Sequence, residues 1–431
     1  MNEPVVQTTH YNKPKKIFQN KNFLLLIFGK LISKLGDNIY IFALTWYVFE
    51  KYSSTAQAGI IMALGLIPVI FLGPFAGVMA DRINRKKIIV IMDFAQGTIL
   101  LIVFFLLKTN MFSIWVIYIS TFLLGCCGAL FNPACTAIIP NIVEEEQLIE
   151  ANGADTAIGS ISNIGGILGG GIAYALFGFT SICFFNAISF IISGIAEMFL
   201  TLHQKTDNCR EDLQHTKEGK LKEYFNELYD GFSYLHSKKG LFILFIFFMA
   251  FNFLLAPVYS IYLPYIFNKQ LIAGPSSLAY VQAASGIGML VGAIIVSMFA
   301  KGNSIKLILF GLWCSNITVL GLAIPIFPVG NSFFTTSRAT IAYIVLGAIM
   351  GVFGSFVAIP IASTFQRLIK DEFRGRVNAL ISTIVVSAIP LGYLLGGFMA
   401  EFIPVYIIIV TGAFLMVITV FMGFVSELKE I

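Results

Sequence analysis

Asp37 is the residue of this sequence best placed to do chemistry. It stands in Lys30-Leu-Ile-Ser-Lys34-Leu-Gly-Asp37-Asn38, near the middle of the first long apolar run. A carboxylate at that depth of a bilayer costs ~2.5–3.5 kcal/mol on insertion scales, so it must face a cavity or a partner. Lys34 lies one turn earlier and Lys30 one turn before that, so the three form a stripe. One reading makes Asp37, with Lys34 beside it, a proton-coupling group or a site for a cationic ligand at the midplane. The other makes Lys34 and Asp37 a structural pair that fixes the first helix against its neighbours. Lys30 alone reads as a snorkelling cation.

A second charged stretch is Gly77-Val-Met-Ala-Asp81-Arg82-Ile-Asn84-Arg85-Lys86-Lys87, set between two apolar runs. Charges at that density cannot lie in hydrocarbon, so this is a tight loop at a membrane surface. Gly73 and Gly77, four apart, should offer a small-residue face that a neighbouring helix approaches closely. Asp81 is within reach of Arg82 and Arg85. A latch of Gly77, Asp81, Arg82, Arg85 and Lys86, made in one arrangement of two helix bundles and broken in the other, would suit alternating access. Asp93 is expected to join it or, like Asp155 and Glu197, to be solvated or paired with loop cations near an interface.

Uncharged polar side chains supply further substrate-binding candidates beside Asp37: Asn38, Asn132, Asn252, Tyr259, Tyr262 and Asn316. Pro257 and Pro264 break the seventh apolar run where Tyr259, Tyr262 and Tyr265 cluster. Tyr offers an apolar body with a polar tip, which suits a bulky amphiphile, although such residues also serve as interfacial anchors.

Enzyme signals are missing. There is no phosphate-binding loop with Lys-Ser/Thr. The four His and six Cys show no metal or disulfide spacing. No cofactor or metal is expected, and a proton gradient is the expected energy source. The net charge of +5 comes from short loops and is not a nucleic-acid footprint.

These residues need helices to position them. The chain has 431 residues, 57% hydrophobic and 12% charged, where a soluble domain carries roughly 25% charged residues. The expectation is an all-α membrane protein of about twelve spans, each long enough for a core of ~30 Å. They fall near 22–49, 55–80, 88–107, 112–140, 152–177, 179–202, 241–267, 276–300, 304–327, 338–369, 375–400 and 403–425. Basic residues crowd alternate loops, which puts both termini in the cytoplasm. Residues 1–21 and 426–431 are then tails, 22–202 and 241–425 two six-helix bundles, and 203–240 a cytoplasmic linker. In the linker Leu221, Tyr224, Phe225, Leu228, Phe232 and Leu235 recur at helical spacing. That helix lies either on the inner leaflet or against the bundle.

The halves repeat. At an offset of 226, Asn152 matches Asn378, Gly166 matches Gly392, and Gly170-Gly171 match Gly396-Gly397.

The loop Gly77-x-x-x-Asp81-Arg82-x-x-Arg85-Lys86 resembles the signature between helices 2 and 3 of the major facilitator superfamily, with Asn84 where that pattern has Gly. Asn is the next most tolerant residue of a left-handed backbone. Gly165-Gly166-Ile-Leu-Gly169-Gly170-Gly171 resembles the glycine-rich motif of superfamily antiporters that export, with Gly166 in place of Pro; close helix packing is the other reading. Asp230-Gly231-Phe-Ser-Tyr234-Leu235, Phe373-Arg374-Gly375-Arg376-Val377-Asn378 and Ser33-x-x-Gly36-Asp37 look like the drug-efflux branch that includes macrolide efflux proteins and the enterobactin exporter. That resemblance implies two pseudo-symmetric six-helix bundles in a cell membrane. It implies a monomeric, proton-coupled antiporter of an amphiphilic drug, macrolide or siderophore-like molecule, in contact with membrane lipids and no nucleic acid. A lipid or lysophospholipid translocase and an importer of a nutrient or metal complex are the alternatives.

Overall fold

The computed structural model describes residues 17–109, 111–201, 217–298, 304–328 and 333–425. Every regular element among them is helical. α1 (Lys21–Tyr52) starts where the Asn20 side chain accepts from two free backbone N–H groups, and stops at Ser53. α2 (Thr55–Arg82) and α3 (Arg85–Lys108) are capped in the same way by Ser54 and Asn84. α4 (Ile114–Ile138) follows. α5 (Leu148–Met198) holds two spans, because Gly178 at φ 71° folds the chain back on itself. Side chains rarely tolerate that left-handed backbone, so glycine stands there. The arms before and after Gly178 are α5a and α5b.

α6 (Lys217–Ser237) is the linker helix. α7 (Lys239–Gln270) passes Pro257 and two π-turns, as its prolines suggested. α8 (Pro275–Met298), α9 (Ser304–Ala323) and α10 (Thr336–Leu368) come next. α11 joins Asp371–Leu380 to Val386–Phe402 through a π-turn, and α12 is Val405–Val425. The result is twelve spans in two halves, α1 to α5b and α7 to α12. Large apolar side chains such as Phe71, Phe105, Leu176 and Phe398 stay exposed on the outside, which is a lipid-facing surface rather than a wet one.

Pseudo-symmetry is visible in the packing. Gly166 and Gly170 of α5a lie against Asn38 and Phe42 of α1, whereas Gly392 and Gly396 of α11 lie against Phe253 and Pro257 of α7. Asn38 and Phe42 precede Phe253 and Pro257 by 215 positions in both cases. The glycine-rich run is thus a packing surface. A Cβ on Gly166 would stand 2.4 Å from Asn38 Cβ, closer than any side chain allows.

α6 docks on the C-terminal half. The Tyr234 ring stacks on Phe373 at 4.4 Å, Arg376 Nη1 lies 3.3 Å from Asp230 Oδ2, and Gly231 rides over the Arg376 carbonyl. Two of the motifs that looked like the efflux branch therefore meet in one joint. The helix packs on the bundle, the second of the two placements its periodicity allowed.

One face of the molecule carries the linker helix and the α2–α3 turn and is called the terminus face. The opposite, far face carries Ser53, Gly178, the α7–α8 turn and the α11–α12 turn.

Candidate functional site

The two halves touch at the far face. Glu401 at the end of α11 accepts from Ser54 Oγ at 2.5 Å, Ala56 N at 2.9 Å and Thr55 Oγ1 at 3.3 Å, all at the start of α2. A carboxylate there also faces the positive end of the helix dipole. Gly59 abuts the Tyr393 carbonyl, Gly171 abuts Ala279, and the Phe49 and Tyr265 rings meet edge to face at 5.9 Å. Two helix turns further toward the terminus face Gly286 still lies against Ile164, and beyond that the described contacts between the halves thin out. A Cβ added to Gly73 or Gly77 would meet nothing within 4 Å. The close approach expected there is absent because the halves splay at that end, and the tight α2–α11 contact sits at Gly59 instead.

Beneath the far-face seal lies a cavity of about 560 Å³, walled by both halves. Asn38 and Asn163 come from the first half, and Asn252, Tyr259 and Gln282 from the second. The π-turn at Val258–Tyr262 leaves backbone carbonyls without their usual partners, and Gln282 Nε2 donates to the one on Tyr259 at 3.2 Å. Tyr259 Oη shares a hydrogen bond with Ser285 Oγ at 2.9 Å. No side chain described on the wall is charged.

From the cavity two polar stripes run toward the terminus face. Asn132 and Thr136 on α4, and Asn152, Thr156, Ser160 and Asn163 on α5a, are all exposed. Several satisfy themselves on their own helix, as Thr136 does on Asn132 O at 3.1 Å and Thr156 on Asn152 O at 2.9 Å. Polar stripes one helix turn apart belong on a water-filled vestibule, not on lipid. Apart from Asn132, the sequence reading missed them. The i, i+4 spacing of Asn152, Thr156 and Ser160 was the available signal.

The other candidates separate. Asn38, Asn252 and Tyr259 reach the cavity wall. Asp37 does not; it is half-buried and turns into the first half, where Lys34, Tyr40 and Asp93 are the ionisable groups in range. Lys34 does not pair with it. Lys34 Nζ reaches Asn132 Oδ1 at 3.4 Å instead. Tyr262 is buried against Gly396 beside a small apolar pocket of about 150 Å³ between α7, α11 and α12. Asn316 is buried in α9, away from the cavity.

Three expectations for the charged residues need correction. Lys30 is no snorkelling cation: it is buried and forms an ion pair with Asp155 of α5a. Asp93 and Glu197 are neither solvated nor paired with loop cations. Both are fully buried, because α3 and α5b close over them. Asp93 packs on Gly194, which draws it into the first half and away from the α2–α3 turn.

The side chains of Asp81 and Arg82 lie outside the described residues. Arg85 Nη1 donates to Ala137 O at 2.8 Å and Asn141 Oδ1 at 2.7 Å, tying the start of α3 to the end of α4. Asn84 is not left-handed. Its φ is −56° and its side chain caps α3, which is why Asn serves as well as Gly there.

This geometry has relatives. Macrolide efflux protein A of Streptococcus pyogenes is 26% identical over 407 residues, covering 94% of this chain and 95% of its own. The Enterococcus faecalis protein of the same name is 27% identical over 332 residues, 76% and 96% of the two chains. Among solved structures, the nucleoside transporter NupG superposes with a TM-score of 0.71 at 13% identity, over 94% of this chain and 98% of its own. A bacterial homologue of the iron transporter ferroportin, in an inward-facing state, gives 0.71 at 14% identity over 95% and 99%. The sequence pattern of the Major Facilitator Superfamily matches residues 26–341. With that match, the doubled six-span architecture and the shared cavity together, this chain belongs to the Major Facilitator Superfamily, as a multi-pass membrane transporter and not an enzyme.

Proposed function

We propose that this transporter exports an amphiphilic small molecule by alternating access, driven by the proton gradient, with Asp37 as the group that takes the proton. The observation that carries the reading is the uncharged, amide- and hydroxyl-lined cavity between the halves, held shut at the far face and continued by polar stripes toward the terminus face. Its wall suits a ligand with a broad apolar surface and scattered hydrogen-bonding groups. The similarity to macrolide efflux proteins over nearly the whole chain supports that substrate class and the outward direction. Basic residues concentrate on the terminus face, so this face lies in the cytoplasm and the cavity loads from there or from the inner leaflet.

In this scheme Asp37 works beside the cavity rather than in its wall. Among the described residues no side chain forms an ion pair with it, and Lys34, the cation in range, is turned toward Asn132. Protonation removes a carboxylate charge from the bundle and changes the balance with Lys34, which shifts the rocking equilibrium. In the opposite state the open face at Gly73 and Gly77 is covered by the second half, while the Glu401–Ser54 contact parts. A radiolabelled macrolide in proteoliposomes tests this. The wild type should move it against its gradient when a pH gradient is imposed, and Asp37→Asn should abolish the pH-driven part while inserting normally. Unchanged pH dependence in that variant removes Asp37 from the mechanism, and no macrolide movement under any gradient removes the export reading.

A further inference from the structure

Asp93 of α3 and Glu197 of α5b are the most deeply buried carboxyl groups described in this chain, each 0% exposed. All four of their oxygens lack a hydrogen-bond partner, as does Ser193 Oγ on the same helix face as Glu197. Ser193 and Gly194 hold α5b close to its neighbours here. A Cβ on Gly29 of α1 would stand 3.0 Å from Ser193 Oγ, and one on Gly194 would stand 3.4 Å from Asp93 Cβ. Among the described residues, Lys30 is the cation in range of this spot.

The ionisable groups around the pair come from five helical arms. α1 supplies Lys30 and Asp37, α4 supplies Cys127 and Cys135, and α5a supplies Asp155, alongside Asp93 on α3 and Glu197 on α5b. Lys30 is already committed, in contact with Asp155. If Asp93 and Glu197 were both ionised, two negative charges would lie in a dry interior where the Ser193 hydroxyl is the nearby donor, too little for two carboxylates, and where Lys30 is held by Asp155. A lone buried ion is far costlier than its neutral form, so such groups take up protons instead.

We propose that Asp93 and Glu197 form a proton-binding site inside the first half, separate from Asp37, which holds at least one proton in this conformation. Lys30 is the cation that exchanges partners with it. With Lys30 on Asp155, the pair stays protonated. When a proton leaves, one carboxylate is created, and Lys30 swings from Asp155 to compensate it. That exchange couples the charge of the pair to α5a, the helix that lines the vestibule with Asn163 and meets the second half at Gly171. Asp155 is partly exposed and can be hydrated when Lys30 leaves it. The site therefore binds and releases protons at a position that touches neither substrate nor cavity.

The test needs no transport assay, so its result is independent of the export reading. Infrared spectra of the full-length protein in lipid bilayers are recorded through a pH titration, in an Asp37→Asn background that removes the other candidate. At neutral pH the carbonyl stretch of a buried protonated carboxyl should be present. Asp93→Asn and Glu197→Gln should each remove or shift part of it, and the double variant should abolish it. Both amides mimic a neutral carboxyl, so the melting temperature should hold. Lys30→Met should carry the band to higher pH, because the protonated form then has no cation competing with it. A band untouched in the double variant overturns the proposal. So does unfolding of both amide variants, which would mean that the pair is ionised and structurally required as such. An unchanged titration in Lys30→Met overturns the partner exchange.

Discussion

Glu401 Oε1 accepts a hydrogen bond from Ser54 Oγ at 2.5 Å, and this contact joins the last turn of α11 to the first residues of α2 across the two halves of the transporter. The neighbouring Ala56 N–H and Thr55 hydroxyl converge on the same oxygen. Hydrogen bonds to a charged acceptor are worth about 1.5–3 kcal/mol, less where water competes. Glu401 is exposed, so Glu401→Gln should loosen the far-face seal by about 1 kcal/mol, roughly a fivefold shift toward the state open on that side. Spin labels placed on the α1–α2 and α11–α12 turns would report it as a larger population of long distances. An identical distance distribution would mean that the contact does not hold the seal.

Gly59 and Gly77 sit on one helix and should respond oppositely. A Cβ on Gly59 would stand 2.3 Å from the Tyr393 carbonyl, while one on Gly77 would meet nothing. Overpacking costs ~1–3 kcal/mol. Gly59→Ala should therefore destabilise the conformation described here, and Gly77→Ala should leave it intact yet impair transport by obstructing the opposite one. Paired thermal melts and flux assays check this; equal effects of the two changes on the melt would contradict it.

The Lys30–Asp155 contact is the one buried ion pair described in the first half. Removing one member of such a pair strands the other, at ~3–5 kcal/mol when burial is complete. Asp155 retains some exposure and Lys30 can turn to the Asp93–Glu197 pair, so Asp155→Leu should cost less than that limit, about 1–2 kcal/mol. Lys30→Met in the same chain should restore much of that. Detergent melting curves of the two single variants and the double variant decide it, and simple additivity would show that the groups do not interact.

Much of this architecture was legible in the sequence, because a bilayer imposes length and charge rules on each span. The helix break at Gly178, the broken α7 and the 226-residue repeat all follow from local chemistry, and the packing of Gly166 and Gly392 gives the repeat its physical meaning. The charged residues were read less well. Asp93 and Glu197 lie little more than one turn from span ends and Lys30 two turns in, within snorkelling reach, where sequence alone cannot tell solvent from a protein interior; Lys30 meets Asp155 only because α1 is clamped between α5a and α5b. Asp37 stands mid-way along α1, but its direction was not legible. One residue along a helix is about 100°, and that separates it from Asn38 on the cavity wall.

The linker joint offers a contrast between two kinds of contact. Asp230 and Arg376 are both about half exposed, and surface ion pairs contribute ~0–1 kcal/mol. Asp230→Ala should barely change anything. Tyr234→Ala removes the stack on Phe373 and the hydroxyl that accepts from Lys370 N at 3.3 Å. It should free α6 by roughly 1–3 kcal/mol. Limited proteolysis reads the difference as faster cleavage around α6 in Tyr234→Ala alone, and equal cleavage in both variants would contradict the ranking.

The central claim is a vestibule shared by the two halves that opens toward the terminus face while the far face is closed. Single cysteines at Thr156 and Asn163, in a background without the native cysteines, can be challenged with a membrane-impermeant maleimide from one side of sealed vesicles at a time. Both should label from the terminus face and resist from the far face, and Glu401→Gln should raise labelling from the far side. Reaction from neither side, or equal reaction from both in the unmodified seal, would contradict the account.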